Sequence, residues 1–486
     1  MENYKHGIDT KRDSDISVST EKATTVQVAI GTAPINLLDD PASAVNKPVL
    51  VNSRDDVRKN FGLCTNYGYY TLMQTTLAAL QKVGVAPVVM INVLDPGKAA
   101  HVTAVAGKEF DVTKGTVTIE DEGILLSTLV VSATGGAQGA VDVDYVAAFN
   151  DAGYVTVAVV NDGVLAGESK LTIAYTKLNP EGVTAADVIG GVTENGIRTG
   201  IELVDEVYSR FQYVPDIISA PKYSADATVA AALEAKAELA GDLTNAIAVV
   251  DIESETTTKL ADIKAAKDKL GCFSRWTVLC WPKVIMGGQE ICASAVIAAM
   301  LQLVTAQNGS VPTSPDNKSV PIDGVVLEGG KELHLTKKQV NDYLNAEGVI
   351  GFAYMDGWKC WGNNTAAFPD NTDPNNRFIK CVMMSNYLEN RFKTEYLPAV
   401  GADGKYKTIE SIVSNYNADL NALTPDYLAG AEVIFNKDEN PIAAILEGHF
   451  VFHTRYADWT PIEHIENDFT WDSKILENAF ATGGEA

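Results

Sequence analysis

Two histidines near the C-terminal end, His449 and His453, have the spacing most suggestive of chemistry, four positions apart. On a helix this spacing puts two imidazoles on one face, where they can hold one metal ion. The surrounding residues, Gly-His-Phe-Val-Phe-His, alternate as in a strand, on which positions four apart lie roughly 13 Å from each other. We therefore expect no shared metal site at these histidines.

A second group, Asp370, Asp373 and Asn375, carries oxygen ligands of the kind that calcium prefers. The segment lacks the twelve-residue loop pattern and its closing Glu, so a turn is the better interpretation. The chain also contains no Gly-x-Gly-x-x-Gly, no Walker loop and no Gly-x-Ser-x-Gly. Its six cysteines show no Cys-x-x-Cys spacing, which favours reduced core thiols. We expect no catalytic residues, no metal and no cofactor.

The charge of the chain restricts its partners. The 486 residues carry a net charge of -25, which repels phosphate backbones and anionic lipid. We therefore expect neither nucleic-acid binding nor membrane insertion, and the start of the sequence has no apolar signal segment. One helix is an exception in this acidic chain, because basic residues cluster in it or beside it: Arg377, Lys380, Arg391 and Lys393. They form either a solvated helix face or a patch that meets an acidic partner.

The last stretch of the chain, Gly448 to Trp471, predicts strands. In its first half, the even-numbered positions Phe450, Phe452 and Tyr456 lie on one face of a strand. After Pro461 a second alternation begins, in which the apolar residues stand at odd-numbered positions: Ile465, Phe469 and Trp471. A half-buried strand with almost no chain beyond it needs a partner to satisfy its backbone groups. That partner is either a distant part of the same chain, in an ordinary last strand, or another copy of the protein.

The remaining chain divides by pattern. Val26–Ile30 predicts a strand, Pro87–Leu94 a strand buried on both faces, and short strands separated by Gly turns follow from about 98 to 178. From about 180 to 350, strands alternate with helices, among them a buried helix within Ile291–Ala306, which indicates a mostly parallel sheet. Beyond a hairpin at Asp356-Gly357, the pattern predicts two helices and then two strands at Glu432–Phe435 and Ile442–Leu446.

Four pieces of the sequence resemble the contractile tail sheath proteins of phages and phage-tail-like bacteriocins. They are the terminal stretch just described, Val-Gln-Val-Ala-Ile-Gly-Thr-Ala-Pro (26–34), Gly-Val-Ala-Pro-Val-Val-Met-Ile-Asn-Val-Leu-Asp-Pro (84–96) and Trp-Gly-Asn-Asn-Thr (361–365). Asn364 stands where the family often has Arg.

The resemblance implies an α/β, multidomain fold in which a mixed, mostly parallel sheet is similar to subtilisin but has no active site. With the pattern above it gives these expected boundaries: an N-terminal arm (1–25), the first α/β part of the core (26–97), an inserted β-sandwich (98–178), the α/β subtilisin-like domain (180–370), a C-terminal α+β domain (371–463) and a C-terminal arm (464–486).

The resemblance also implies how copies assemble. Ile16 and Val18 in one arm and Ile465, Phe469 and Trp471 in the other would complete sheets on neighbouring copies. Lys22–Thr25 and Thr460–Ile462 would act as hinges while subunits rotate as rigid bodies. The implied partners are further copies in six-fold helical rings, an inner tail tube that the basic patch could face, and baseplate and tail terminator proteins. The implied location is a virion or phage-tail-like particle assembled in the host bacterial cytoplasm.

Two other functions compete with a contractile sheath. One is an α/β hydrolase-like enzyme with an unrecognised active site, against which the missing Ser nucleophile turn argues. The other is a cell-surface adhesin built on the β-sandwich, against which the missing signal segment argues.

Overall fold

The structure is a computed structural model that describes residues 21–241 and 243–482, with the backbone alone for residues 21–25 and 482. Ile16 and Val18 lie outside the described residues. The first part of the chain forms β1 (Glu21–Gly31), β2 (Pro48–Val51), α1 (Arg54–Phe61), α2 (Leu72–Thr75), a π-helical turn (Thr76–Val83) and β3 (Val85–Asn92). Every residue of β3 is buried, as predicted for a strand covered on both faces.

Strand β1 starts earlier than the apolar pattern indicates. Glu21 lies opposite Val85, Lys22 opposite Ala86 and Thr25 opposite Val214. The expected hinge at Lys22–Thr25 is therefore wrong for this structure, because these residues already belong to a paired strand.

Residues 102–178 form two antiparallel sheets with a hydrophobic core of their own. The strands are β4 (Val102–Asp111), β5 (Thr116–Ile119), β6 (Val130–Ala133), β7 (Tyr145–Phe149), β8 (Val155–Val159) and β9 (Lys170–Leu178). One sheet has the order β4-β9-β6 and the other β5-β8-β7. Both contribute alternate side chains to the shared core, among them Val117, Val157 and Ile173.

The segment that leads into residues 102–178 and the segment that leads out of them lie next to each other. The backbone N–H of Asn179 donates to the carbonyl of His101 at 2.7 Å. Asp187 then accepts from Lys98 Nζ at 2.5 Å and lies 3.3 Å from Nε2 of the buried His101. Burial alone would raise the pKa of Asp187, but hydrogen bonds from Lys98, Thr184 and His101 lower it well below the usual carboxyl value.

The next part of the chain alternates strands and helices. It contains α3 (Ala185–Ile189), β10 (Gly191–Val192), β11 (Arg198–Thr199), α4 (Val207–Phe211), β12 (Val214–Ser219), α5 (Ala227–Glu238), β13 (Ile247–Asp251), α6 (Ile263–Leu270), β14 (Thr277–Cys280), β15 (Lys283–Met286), β16 (Gln289–Ile291), α7 (Ala293–Gln307), β17 (Gly324–Leu327), β18 (Lys331–Leu333), α8 (Lys337–Gln339), a π-helical turn (Val340–Leu344), β19 (Val349–Tyr354) and β20 (Trp358–Trp361). The Asp356-Gly357 hairpin is confirmed as the turn between β19 and β20.

Among the described residues, eight strands form one sheet in the order β2-β3-β1-β12-β13-β14-β19-β20. Pairing from β3 to β19 is parallel, and β2 and β20 are antiparallel edge strands, so the predicted mixed, mostly parallel sheet is confirmed. Helix α7 packs against β1, β12 and β13. Its buried Gln302 accepts from Gln27 of β1 and donates to the carbonyl of Pro87 in β3, each at 2.7 Å. These two bonds fix the helix to the sheet without leaving the amide unpaired.

The last part of the chain forms a smaller helix and ribbon unit. Its elements are α9 (Pro374–Arg377), α10 (Ile379–Tyr396), α11 (Tyr406–Ala422), β21 (Leu428–Ile434), α12 (Ile442–Leu446), β22 (His453–Asp458) and α13 (Ser473–Thr482). The predicted strand at Ile442–Leu446 is wrong, because this segment is the short helix α12. A short apolar run fits either structure, and periodicity over so few residues does not separate them.

Candidate functional site

The predicted aromatic strand lies in a two-stranded ribbon over a separate core. β21 and β22 pair antiparallel, with Ala431 opposite Tyr456. Phe452 and Tyr456 pack on a cluster that includes the buried Tyr416, and the ring centroids of Phe392 and Phe452 are 5.9 Å apart. Burial raises the pKa of Tyr456. This half of the terminal stretch is therefore completed within the chain.

Directly after β22, the chain is held by a basic residue of α10. Lys380 Nζ donates to Asp458 Oδ2 at 2.7 Å and to the carbonyl of Trp459 at 2.6 Å. Both charged side chains are largely buried. Trp459 Nε1 donates to the carbonyl of Pro425 at 2.8 Å. Further along, Arg377 forms an ion pair with Glu463. We call residues 458–463 the arm root, since these contacts fix where the terminal segment leaves the body.

The Trp-Gly-Asn-Asn-Thr motif positions the two basic residues that hold the arm root. The N–H of Thr365 donates to the carbonyl of Arg377 at 2.6 Å, and the N–H of Ile379 donates to the carbonyl of Asn363 at 3.0 Å. Asn364 Oδ1 accepts from Arg377 Nε at 3.1 Å. A cleft of about 870 Å³ separates part of the motif from the arm root. The motif thus shapes the surface from which the arm departs.

From Ile462, near the end of the arm root, to Ala481, every residue is exposed. Ile465 is 78% exposed, Trp471 80% and Phe469 91%. Residues 459–472 form no regular structure, so the predicted second strand is not formed within the described chain. This result fits a segment whose alternating pattern requires a partner strand that residues 21–241 and 243–482 do not supply.

Helix α13 follows and was missed at the sequence level. Asp472 Oδ1 accepts from the N–H of Lys474 at 2.9 Å. Ile475, Leu476 and Phe480 then carry an apolar face at helical spacing, and all three are exposed. An acidic residue directly before this spacing was the signal that could have revealed the helix.

The four predicted basic residues do not form one free patch. Arg377 and Lys380 hold the arm root as described. Arg391 pairs with Asp419 at 2.8 Å, and Lys393 donates to Asn245 Oδ1 at 2.5 Å. Partial burial alone would lower the pKa of Arg391, but Tyr387 and the neighbouring carboxylates raise it. Contact of the four basic residues with an inner tube stays a prediction. It would require them to give up their partners within the chain and to bond groups of the tube protein.

The edge of the sheet where an α/β enzyme would hold its substrate contains a buried polar cluster instead of a nucleophile. Asp251 ends β13 and accepts from the hydroxyls of Ser224 and Ser294 and from the N–H of Ser294 at 2.8 Å. Burial raises the pKa of Asp251. All three side chains are buried, and both serine hydroxyls are occupied as donors. Because Ser294 lies in the first turn of α7, its N–H bond to Asp251 caps this helix. It presents no serine to a substrate.

No three His, Cys, Asp or Glu side chains within residues 21–241 and 243–482 come together as metal ligands. In the same ranges, no helix has the length and hydropathy that crossing a lipid bilayer requires.

The comparisons with known proteins agree with one another. No family model matches the chain. The tail sheath protein of Burkholderia phage BcepMu is 27% identical in an alignment of 498 positions that covers 99% of this chain and 98% of that protein. The solved six-fold symmetrised baseplate of the anti-feeding prophage shares the fold over 97% of this chain and 99% of its own, with a TM-score of 0.57 at 15% identity.

A second solved structure, the PVC sheath complex of an extracellular contractile injection system in its contracted state, covers 98% of this chain and 99% of its own. Its TM-score is 0.54 at 14% identity. These structures show a common fold, and the phage relative is a structural tail protein rather than an enzyme. The match over nearly the whole of both chains and the shared fold make this chain similar to contractile tail sheath proteins and support the same structural role.

Proposed function

We propose that this structural sheath subunit polymerises into stacked six-fold helical rings around an inner tube. Contraction of the array would drive the tube through the envelope of a target cell. The exposed C-terminal arm is the observation that carries this proposal. Exposure of Ile465, Phe469 and Trp471 to water does not stabilise a monomer. A polymer would gain free energy by burying them at each contact between copies.

The arm has enough apolar surface to hold copies together. Phe469 and Trp471 each bury roughly 150–250 Å² when covered. At about 25 cal/mol per Å², the pair contributes about 7–12 kcal/mol as an upper limit. Once docked, such an arm stays docked while the particle works. Contraction then proceeds by rotation of whole subunits, with Thr460–Ile462 as the hinge in the arm root.

The ribbon of β21 and β22 is the acceptor that best suits this arm. Strand β22 has one neighbour within the described chain, and its outer edge is open to strand addition. The outer edge of β21 is already occupied at Val433, whose backbone N–H and carbonyl bond the side chain of Asn417 in α11. The N-terminal arm, with Ile16 and Val18, would add to a neighbour in the same way. Head-to-tail pairing of this kind generates rings and helices rather than closed dimers.

The remaining parts of the proposal concern architecture and partners. Residues 98–178 would be an inserted β-sandwich domain, and the strand order of the large sheet supports a subtilisin-like domain without an active site. The assembled sheath would contact a tube protein, a baseplate and a tail terminator, and would be built in the bacterial cytoplasm before it enters a virion or phage-tail-like particle.

The test is electron microscopy of the purified chain and of a chain ending at Glu463. We expect hollow cylinders from the full chain and dispersed subunits from the truncated one. A full-length double variant, Phe469→Ser with Trp471→Ser, should also fail to polymerise. Its matched control is Val141→Ser with Val143→Ser, which changes two exposed residues of the loop between β6 and β7 and should leave cylinders intact. Cylinders from the truncated chain would contradict the arm mechanism.

A further inference from the structure

Helix α13 is an amphipathic element whose apolar face is uncovered. Ile475, Leu476 and Phe480 lie on one side of it, and each is more than half exposed. A ten-residue helix is marginal in water without packing, because nucleation is costly. The helix therefore needs a surface, and it lies beyond the part of the arm that strand addition uses.

Two segments of the same helix and ribbon unit carry exposed apolar side chains. They are Leu397, Val400 and Tyr406 in the first and Ile442 and Leu446 in the second, of which Val400 is 79% and Leu446 81% exposed. The two segments that carry these residues meet at Gly404 and Phe450, where a Cβ on Gly404 would lie 2.3 Å from the Phe450 ring. We call these five residues the end patch.

The end patch lies at one defined end of the ribbon. At that end Ile434, the last residue of β21, is opposite His453, the first residue of β22. Phe435 and Phe452 continue from this pair, with ring centroids 5.5 Å apart. In the chain, α12 and Phe450 lie between these two aromatic residues. The end patch is thus a continuation of the ribbon surface.

The length of the arm brings α13 to this place. Residues 464–471 make a strand of roughly 26 Å, close to the length of the seven-residue β21. If the arm of a second copy pairs antiparallel with the outer edge of β22, it runs in the direction of β21, and its last strand residue reaches the Ile434 end of the ribbon. Ser473, where α13 begins, then lies directly beside the end patch.

We propose that α13 of one copy packs its apolar face on the end patch of a second copy. This inference rests on the proposed strand addition and goes beyond it, because it fixes the direction of the incoming arm and adds a helix contact. The opposite direction would deliver α13 to the Leu428 end of the ribbon, away from the end patch.

Photo-crosslinking in assembled full-length protein tests this contact. Phe480 is replaced by benzoylphenylalanine, and isotopically heavy and light copies are mixed before polymerisation. We expect heavy-to-light crosslinks from position 480 to peptides containing residues 397–407 or 440–450. Crosslinks within one copy, to the Leu428 end of the ribbon or to any other surface would overturn the proposal.

A second measurement uses the Leu446→Asp variant, which alters the end patch without touching the ribbon pairing. We expect the concentration for half-maximal polymerisation to rise at least about tenfold. Val143→Asp, an exposed valine elsewhere, is the matched control and should cause no change. If Leu446→Asp polymerises like the unmodified chain, the helix contact is overturned while the sheath function stands. If the unmodified chain forms no cylinders, both are overturned.

Discussion

At the scale of residues, Lys380 is a largely buried cation that holds Asp458 and the carbonyl of Trp459. Lys380→Met leaves the Asp458 carboxylate buried without its partner, which costs about 3–5 kcal/mol. We expect a lower urea midpoint and faster amide hydrogen exchange in residues 453–463. Lys407→Met, at an exposed lysine of α11, is the control and should change stability by less than about 0.5 kcal/mol.

The double variant Lys380→Met with Asp458→Leu distinguishes loss of the pair from loss of packing. Because both charges are removed, much of the stability should return. An equal loss in the double variant would mean that the stem of Lys380, and not its charge, secures the arm root.

Asp187 gives the chain a defined dependence on pH. Its pKa in the folded chain is depressed, so its ionised form stabilises the fold above the ordinary carboxyl pKa of about 4. That stabilisation is lost as the pH falls through the folded pKa. Asp187→Asn should therefore lower the urea midpoint at about pH 7. Its urea midpoint should also fall less than that of the unmodified chain when the pH is lowered to about 3. The exposed Asp111→Asn is the control, and an unchanged acid response in Asp187→Asn would contradict this role.

Residue-scale contacts were only partly predictable. The sequence indicated that Arg377 and Lys380 stand out in an acidic chain, but their partners Glu463 and Asp458 lie about eighty positions away. Nothing local in the sequence encodes such a pairing. Ile465, Phe469 and Trp471 were predictable as a group that needs a partner, because their alternation is a local property.

At the scale of elements, α10 is fastened to the large sheet by side-chain amides. Asn390 accepts from the N–H of Asn245 and donates to its carbonyl, each at 2.7 Å, and Asn386 donates to the carbonyl of Ala246 at 3.0 Å. Asn390→Ala leaves two buried backbone groups unpaired, at about 1–3 kcal/mol each. We expect a lower melting temperature and faster hydrogen exchange in α10. The exposed Asn415→Ala on α11 should leave both unchanged.

Elements with long, periodic patterns were predicted well. The buried apolar helix is confirmed as α7, and the two helices expected beyond the Asp356-Gly357 hairpin are confirmed as α10 and α11. The short run Ile442–Leu446 was assigned to a strand because five apolar residues cannot establish a period. The second half of the terminal stretch has the residues of a strand but no strand geometry, since backbone pairing is a property of two segments.

At the scale of the whole molecule, the net charge of -25 opposes association of copies. We expect polymerisation to increase as salt is raised from about 0.02 M to about 0.15 M, because the screening length shortens from tens of ångströms to about 8 Å. Light scattering at fixed protein concentration measures this change. The chain ending at Glu463 is the control and should not scatter at either salt concentration. A fall in scattering of the full chain with salt would mean that attractive charge pairs dominate the contacts.

The class of the whole molecule was readable from the sequence, because four quoted pieces in order and a partnerless terminal stretch indicated a contractile sheath. The position of the Trp-Gly-Asn-Asn-Thr motif beneath the arm root was not readable. It depends on Thr365 and Asn363 contacting the start of α10 across a loop.

In the proposed polymer, helix α10 also determines how a subunit would bear tension. Its first turn is tied to the arm through Lys380, and its later turns are tied through Asn386 and Asn390 to the chain entering β13. A neighbour that pulls on the arm therefore loads this helix, which is about 27 Å long, and through it the eight-stranded sheet. The hydrogen bonds of Lys380, Asn386 and Asn390 would share this force. The backbone hydrogen bonds between β21 and β22 would therefore not break one pair after another. The subunit can in this way transmit mechanical work along a chain of copies without unfolding.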